Sequence, residues 1–275
     1  MGNSINTNVG AMIALQNLNA TNSQLSTSQT RINTGLKISS ARDNGAIWAI
    51  AQGQRAEADS LDAVKDSLQR GQAIVDVTMS AAETISDLLN QMKSKALAAL
   101  DASIDTAART ALNEDFKALR DQIKKTVSNA TFNGANLLKT AAANLTSLAD
   151  ASGASKLTVV AQVMALGGSN VTVANTASFS SAATASTQLA AVNASIANVN
   201  AAIAKLGTSS KAVATHLEFI GKLQDTMVAG VGNLVDADVA KESATFQALQ
   251  TKQQLGVQAL SIASSSSNIL LSLFR

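Results

Sequence analysis

The side chains in this sequence that could perform chemistry are few and widely separated. The single histidine, His216, stands beside an apolar residue of a helical repeat, which favours a packed or surface position over catalysis. Asp236 and Asp238 could bind a metal ion, but their spacing also suits the cap of a following helix. Gly230 and Gly232 follow a helical pattern rather than a strand, which argues against a phosphate loop. We therefore expect no catalytic, cofactor-binding or metal-binding residues, and no enzyme activity.

Apolar residues recur at coiled-coil spacing near both ends of the chain, in segments without charge from Met1 to Thr30 and from Gln253 to Phe274. A solvated coiled coil would carry Glu and Lys on its outer faces, so these amphipathic helices need a partner. We expect them to pack together or against copies of themselves, with an ordinary intramolecular helix pair as the alternative. Asn22 and Gln29 are the polar members of the first repeat. The predicted self-assembly seam consists of Leu15, Leu18, Leu25, Ile32, Leu36, Phe246, Leu249, Leu260, Leu270 and Phe274.

The composition narrows the class of protein. The 275 residues include no proline, which removes the commonest interruption of long helices, and only 15 % are charged, so much of the surface is expected to be covered in the working state. No Lys/Arg cluster with interleaved aromatic residues suggests a nucleic-acid partner. Residues 1–20 do not resemble a secretory signal, and no long unbroken apolar run is present. We expect no membrane insertion, and a cytoplasmic protein unless a signal-independent route exports it.

Helical periodicity fills most of the region between the two ends. A repeat at three- and four-residue spacing predicts helices over 61–99, 112–127 and about 187–234. Small and polar residues at 39–45 predict a loop or kink between the N-terminal helix and the next one. The only tryptophan, Trp48, is expected to anchor this region by packing, with an interface anchor as the alternative.

An alternating pattern interrupts the helices in the middle of the chain. Apolar residues alternate over 157–173 around turn residues at 167–170, which predicts a β-hairpin. Long helices at opposite ends of a sequence pair most economically with each other. The predicted fold class is mainly α: a long antiparallel helical coiled-coil rod formed by the N- and C-terminal regions, with a small β-hairpin-rich insert. Asp236 and Asp238 are candidate N-caps of the terminal helix.

Four separated segments carry recognisable motifs. They are RINTGLKISSARDNGAIWAIA at 31–51, TFNGANLL at 131–138, LVDADVAKE at 234–242 and LLSLFR at 270–275. In sequence and in order these segments resemble the bacterial flagellins, and most closely the short flagellins of Caulobacter and related alphaproteobacteria. The middle of the chain, about 141–185, is much shorter than the variable domains of enteric flagellins.

The resemblance implies a structural subunit that self-assembles into the bacterial flagellar filament for swimming motility. Flagellins are exported unfolded through the flagellar type III apparatus, without a cleaved signal peptide, and polymerise outside the cell. The implied partners are other flagellin copies, in a homopolymer or mixed with paralogues, together with the filament cap, hook-junction proteins and an export chaperone. Two alternatives stay open: a hook-filament junction protein and, from another class, a soluble helical chaperone or adaptor.

The resemblance also implies a division of the chain into five segments. Residues 1–40 form an N-terminal filament-core helix and 41–140 the N-terminal part of a helical rod domain. Residues 141–185 form a small β-rich outer insert, 186–235 the C-terminal long helix of the rod domain, and 236–275 a C-terminal filament-core helix.

A hydroxyl-rich stretch at the end of the insert is a candidate for modification. Related alphaproteobacterial flagellins are often O-glycosylated in their outer region, so the resemblance implies glycans on some Ser or Thr between about 141 and 210, with an unmodified loop as the alternative. The candidate O-glycosylation sites are Ser178, Ser180, Ser181, Thr184, Ser186 and Thr187.

A second implied property concerns an animal immune receptor. In enteric flagellins this receptor reads a Leu-Gln-Arg-Val-Arg-Glu-Leu segment on the long N-terminal helix, which aligns with residues 89–95 here. Most of the segment is replaced, so we expect weak recognition. The degenerate immune-receptor segment comprises Leu89, Gln91, Lys93, Ser94 and Lys95.

Overall fold

Five helices and two short strands make up the described part of the chain. The computed structural model describes the backbone of residues 7–272 and the side chains of residues 7–265. The fold is mainly α with a small antiparallel two-stranded sheet, as predicted. In chain order the elements are α1 (Val9–Thr34), α2 (Gly45–Ala98), α3 (Thr106–Asn129), β1 (Leu145–Leu148), β2 (Lys156–Val159), α4 (Ala182–Val235) and α5 (Val239–Ser272).

The chain forms two compact units. The first contains the residues up to Ala56 and those from Thr226 onward, and the second contains Glu57–Asp225. Helices α1 and α5 therefore belong to the first unit, and α3 with both strands belongs to the second. Helices α2 and α4 are each shared, the first unit holding the start of α2 and the end of α4.

In the first unit, α1 and α5 form an antiparallel pair. The Asn8 side-chain amide donates to the Ala263 carbonyl at 2.7 Å, and the Gln253 side chain donates to Asn22 Oδ1 at 2.7 Å. Asn8 also caps α1, because its Oδ1 accepts from the Ala11 N–H at 3.0 Å. Gly35 ends the helix in the left-handed conformation that glycine adopts without a steric penalty.

The packed face of α1 agrees in part with the predicted one, since Leu18, Leu25 and Ile32 are half-buried as expected but the polar positions are not. Thr21 and Ser28, with 3 % and 2 % of their surfaces exposed, occupy the places predicted for Asn22 and Gln29. Leu15, predicted to lie on the same seam, is 48 % exposed. Close helix approach requires short side chains at the contact, and a long amide there would hold the helices apart. The buried hydroxyls stay paired: Thr21 donates to the Asn17 carbonyl at 2.9 Å, and Ser28 donates to a carbonyl of α5 at 3.3 Å.

The periodicity of α5 was predicted correctly for the described side chains. Phe246, Leu249, Gly256 and Leu260 are half-buried, whereas most of the residues between them are exposed. Gly256 permits the close approach, because a Cβ at this position would lie 3.3 Å from Leu18 Cδ1.

In the second unit, α2 and α4 are antiparallel. Polar contacts join Lys65 to Gln224 at 2.8 Å, and Gln72 to Ser210 at 2.6 Å. Helix α2 begins at Gly45, directly after the predicted break at 39–45, and the strong helix formers Ala, Gln, Arg and Glu carry it into the apolar repeat that starts at Leu61. All residues of the predicted α2 repeat are buried, namely Leu61, Val64, Leu68, Gly71, Val75, Thr78, Ala82, Ile85, Leu89, Met92, Ala96 and Ala99.

Helix α4 begins earlier than the predicted start near Thr187. The Ser181 hydroxyl accepts from the Thr184 N–H at 3.3 Å, and the Thr184 hydroxyl accepts from the Ser181 N–H at 3.0 Å, which caps the helix at Ala182. By length and a mean hydropathy of 1.2 in its most apolar window, α4 could cross a membrane. Every seventh residue of its repeat is buried in the protein, as Val192, Val199, Leu206, Val213 and Ile220 show.

The hairpin lies elsewhere than predicted. Strand β1 pairs with β2 in the register Leu145↔Val159 to Leu148↔Lys156, and residues 149–155 form the turn. The predicted turn at 167–170 does reverse the chain, with the Gly167 N–H donating to the Val173 carbonyl at 2.8 Å. It joins no pair of strands, because the segment after it packs on α4 instead.

Two contacts explain this outcome. Val171 and Val173 are fully buried, and the Thr172 N–H between them donates to the Ser195 hydroxyl of α4 at 2.9 Å. The turn that does close the hairpin is built by Asp150, whose carboxylate accepts from the Ser152 hydroxyl at 3.0 Å and from the N–H of Ser155 at 3.2 Å.

Side chains of α2 and α4 hold the hairpin in the second unit. The Leu148 N–H donates to the Ser67 hydroxyl of α2 at 3.0 Å. His216, half-buried on α4, has its Nε2 2.8 Å from the Ala149 carbonyl, so the lone histidine packs as expected. Gly71 faces Ser147 so closely that a side chain at residue 71 would collide with the serine hydroxyl.

Candidate assembly surface

Large aliphatic side chains point away from the α1–α5 contact. Between 48 % and 71 % of each side chain in this set is exposed. Such exposure on two helices with so little charge indicates a surface that another protein covers. We call these residues the outer apolar set: Val9, Met12, Ile13, Leu15, Leu255, Val257 and Ile262.

A groove of about 450 Å³ runs between the two helices. Small residues open it, and Lys252 is the only charged residue among the described residues that line it. Ile13 and Leu255 of the outer apolar set lie at its walls, so the groove continues the exposed apolar surface. Its lining residues are Gly10, Ile13, Ala14, Asn17, Leu18, Thr21, Lys252, Leu255, Gly256, Ala259 and Ala263.

The few charges of α1 and α5 lie mostly at one end of the pair. Arg31 is the only charged residue in α1, and α5 carries Lys241, Glu242 and Lys252. Arg31 Nη1 lies 3.3 Å from Glu242 Oε1, and only 16 % of the glutamate side chain is exposed. Most of the helix pair can therefore contact identical copies without repeated like charges at each contact.

Two linkers of the first unit, 35–44 and 236–238, are paired by backbone hydrogen bonds beside this charged end. The Lys37 N–H donates to the Val235 carbonyl at 2.7 Å, and the Ala237 N–H donates to the Gly35 carbonyl at 2.8 Å. Trp48 is partly buried against a small core that includes Ile38 and Val235. The tryptophan therefore packs as predicted.

The two N-cap candidates have different roles. Asp238 caps α5, since its Oδ1 accepts from the Lys241 N–H at 3.1 Å. Asp236 does not cap the helix: it forms an isolated antiparallel bridge with Leu36, and its N–H donates to the Gly232 carbonyl at 2.8 Å.

The predicted self-assembly seam divides into two groups. Its half-buried members face the intramolecular pair, and Leu15 faces outward. The Leu270 side chain and the whole of Phe274 lie outside the described residues. Sequence reasoning missed most of the outer apolar set, although its signal was present as aliphatic residues off the main repeat. The half-buried members are Leu18, Leu25, Ile32, Leu36, Phe246, Leu249 and Leu260.

All six candidate glycosylation residues are exposed, but their hydroxyls differ. Ser181 and Thr184 form the cap of α4, and the Thr187 hydroxyl donates to the Ala183 carbonyl at 3.2 Å. The hydroxyls of the other three make no hydrogen bond to another described residue. These are Ser178, Ser180 and Ser186.

The segment aligned with the immune-receptor motif is only partly accessible. Leu89 is fully buried in the second unit, whereas Gln91, Lys93 and Ser94 are exposed. Lys95 Nζ lies 2.7 Å from Asp115 Oδ2 of α3, so this lysine is held by an intramolecular ion pair.

Comparisons with known proteins agree with this geometry. The bacterial flagellin N-terminal helical region matches residues 5–143, and the bacterial flagellin C-terminal helical region matches residues 189–274. The chain is 58 % identical over 273 residues to flagellin FljK of Caulobacter vibrioides, covering 99 % of each chain. It is 38 % identical over 281 residues to a flagellin of Brucella melitensis, again covering 99 % of each.

A solved structure shares the fold. A putative flagellar hook-associated protein from Vibrio parahaemolyticus superimposes with a TM-score of 0.58 over 70 % of this chain and all of that one, at 14 % identity. Identity this low shows the fold alone, whereas the whole-length relatives are named flagellins. The chain belongs to the bacterial flagellins, which are not enzymes but structural subunits of the extracellular flagellar filament that serves motility.

Proposed function

We propose that copies of this flagellin polymerise through the outer apolar set and the groove beside it. The observation that carries the proposal is the exposure of large aliphatic side chains on α1 and α5, the two helices with the fewest charges. Burying one such side chain stabilises a contact by roughly 1.5–3 kcal/mol, and the ordering of two copies offsets part of the total. Seven side chains per subunit supply enough apolar surface for a stable polymer.

The inner residues of the predicted self-assembly seam act indirectly in this proposal. Leu18, Leu25 and Leu260 hold α1 against α5, and the outer apolar set then contacts neighbouring copies. Leu270 and Phe274, whose side chains lie outside the described residues, stay part of the proposed self-assembly seam.

Further proposals follow from membership of the family. We propose export without a cleaved signal peptide, and transient contacts with an export chaperone, hook-junction proteins and the filament cap. Mixed filaments with paralogues are also proposed. The five segments, bounded at residues 40, 140, 185 and 235, are retained as a working division. A junction protein receives less support, because the whole-length relatives are flagellins.

Seeded polymerisation tests the surface. Ile13→Asp and Leu255→Asp place a charge on the outer apolar set, and a buried unpaired charge costs several kcal/mol. We expect each variant to elongate seeds at least tenfold more slowly than the parent. Val160→Asp is the matched control, since Val160 is 57 % exposed, much like Ile13 at 54 %, but lies in the second unit. Parent-like elongation by both variants, or equal loss in the control, would show that the contact lies elsewhere.

A further inference from the structure

The first unit contains two linkers of unequal length. Residues 35–44 connect α1 to α2, whereas residues 236–238 connect α4 to α5. They run side by side only at 35–38, where the Gly35 carbonyl accepts from Ala237 and the Val235 carbonyl accepts from Lys37 and Ile38. The longer linker therefore has about six residues that are not paired with the shorter linker. A segment of that length samples many conformations when no contact holds it.

Asp43 closes this excess length into a compact turn. Its Oδ2 accepts from the N–H of Ser39 at 3.0 Å and of Ser40 at 2.9 Å. The same oxygen accepts from the hydroxyls of Ser39 at 3.1 Å and Ser40 at 3.2 Å. These donors, led by the Ser40 N–H, hold the pKa of Asp43 below its ordinary value of 3.8. The Asp43 N–H also donates to the Ser40 carbonyl at 3.1 Å.

The ends of the turn are fixed independently of Asp43. Ile38 is buried in the small core with Ala51 and Val235, against which Trp48 also packs. Ser39 and Asp43 are exposed, so the turn contributes little to this core. What the carboxylate fixes is the path that the chain takes from Ile38 to the start of α2.

We propose that Asp43 is a positioning residue for polymerisation, which closes the turn at 39–43 and thereby fixes how the paired linkers, with α1 and α5, are held against the start of α2. The inference rests on the proposed role of the outer apolar set, because a surface repeated in every subunit must be presented in one orientation. Without the turn, each incoming subunit would have to order the long linker as it joined the polymer, which slows addition.

Seeded elongation of variants tests the proposal. Asp43→Ala removes the acceptor, and we expect elongation at least tenfold slower than that of the parent. Asp43→Asn keeps one amide oxygen that can accept from both backbone N–H groups, so we expect it to stay within about threefold of the parent. Asp101→Ala is the matched control. Asp101 also accepts from a serine N–H and hydroxyl, those of Ser103 at 2.8 Å and 2.7 Å, but it lies in the second unit.

A second readout separates positioning from folding. The chain has no native cysteine, so Asn22→Cys with Gln253→Cys reports specifically whether α1 and α5 remain paired. We expect the cross-link yield and the monomer melting temperature to be the same with Asp43 and with Asp43→Ala. A fall in either alongside slow elongation would make Asp43 a folding residue and overturn the proposal.

The remaining outcomes are also decisive. Parent-like elongation of Asp43→Ala, a defect in Asp43→Asn as large as that in Asp43→Ala, or an equal defect in Asp101→Ala would each overturn the positioning role. Ile13→Asp runs in parallel, and its failure to slow elongation would refute the assembly surface itself. The two hypotheses therefore fail by different results.

Discussion

At the scale of single residues, the pairing of α1 with α5 is organised around Glu242. Its side chain accepts from Arg31 at 3.3 Å, and its carbonyl accepts from the Ser28 hydroxyl at 3.3 Å. The glutamate also lies in the first turn of α5, where a negative charge interacts favourably with the helix dipole. Arg31 and Glu242 form the only ion pair between α1 and α5 among the described residues. One residue thus joins three interactions at the charged end of the helix pair.

Glu242→Gln is expected to destabilise this pair by about 1–2 kcal/mol, because a partly buried charge-assisted hydrogen bond is lost while Arg31 stays in place. Urea unfolding followed by circular dichroism measures the change. Glu218→Gln provides the control: Glu218 pairs with Lys222 one turn along α4, and both side chains are largely exposed, so we expect no measurable change in the free energy of unfolding. Equal effects of both substitutions would contradict this prediction.

Modification at the residue scale is predicted where a hydroxyl is both exposed and without a partner. Ser178 and Ser180 flank Phe179, whose buried ring packs on Phe116 at 5.2 Å, so the two serines face outward. We predict O-linked glycans on Ser178, Ser180 or Ser186, and a mass of filament-derived protein above the 28.1 kDa of the sequence.

The serine substitutions localise this modification. Alanine at residues 178, 180 and 186 together should remove the additional mass, while Ser181→Ala with Thr184→Ala should leave it. An intact mass equal to that of the sequence would exclude glycosylation of the filament protein.

At the scale of elements, packing depends on positions where two backbones come close. Strand β1 rests on α2 at Gly71, and α5 rests on α1 at Gly256. A glycine inside a helix costs up to about 1 kcal/mol relative to alanine. At each such site the helix is therefore less stable, but the neighbouring element can pack more closely against it. Gly207 of α4 differs, because apart from its chain neighbours and the adjacent backbone of α4 itself, no described atom lies within contact distance of a Cβ placed there.

Gly71→Ala should therefore destabilise the second unit by about 1–3 kcal/mol, since the new methyl group meets the Ser147 hydroxyl. Adding Ser147→Ala removes that hydroxyl and should restore the parent stability or exceed it. Gly207→Ala should stabilise the protein by up to about 1 kcal/mol. Thermal unfolding of the three variants measures these differences, and a failure of Ser147→Ala to rescue would show that the collision is not the cause.

These element-scale contacts also explain how far the sequence could predict the structure. The α2 repeat was predictable, because large apolar residues at each third and fourth position dominate its packing. The inner face of α1 was predictable only for its apolar members, because Thr21 and Ser28 are placed there for their size and hydrogen bonds rather than for hydrophobicity. The hairpin was misplaced because a contact between residues distant in sequence, Thr172 with Ser195, decides which segment pairs.

The assembly surface formed by the outer apolar set was predictable only in part. Uncharged termini indicated a covered surface, but residues such as Ile13 and Ile262 lie off the apolar repeat and became visible only once the packed face of each helix was known. The turn at Asp43 gives no periodic signal at all.

At the scale of the whole molecule, the immune-receptor segment depends on the surrounding fold. Leu89 lies in the core and Lys95 is bound to Asp115, so the exposed part of the segment offers Gln91, Lys93 and Ser94. A receptor that reads Arg and Glu at these places would lose its anchors. Loss of an Arg anchor costs about 2 kcal/mol, which corresponds to roughly thirtyfold in affinity.

We therefore predict that the monomer activates the receptor with a potency at least thirtyfold lower than that of an enteric flagellin. Gln91→Arg, Ser94→Glu and Lys95→Leu together should raise the response. Asp115→Ala is a control for loss of the Lys95 ion pair. A reporter-cell titration measures potency, and a response equal to that of an enteric flagellin would refute the prediction.

Because α1 and α5 carry few charges, the contact proposed between subunits should depend little on the salt concentration of the medium. Contacts between charged surfaces weaken as ionic strength rises, because the Debye length falls from about 10 Å at 0.1 M to about 3 Å at 1 M salt. The outer apolar set contains no ionisable group, and Lys252 is the one charged residue among the described residues that line the groove, so screening affects little of the proposed contact. Salts that are excluded from protein surfaces, such as sulfate, should strengthen it, and urea should weaken it. A flagellum built on such contacts would keep its cohesion from fresh water to brine.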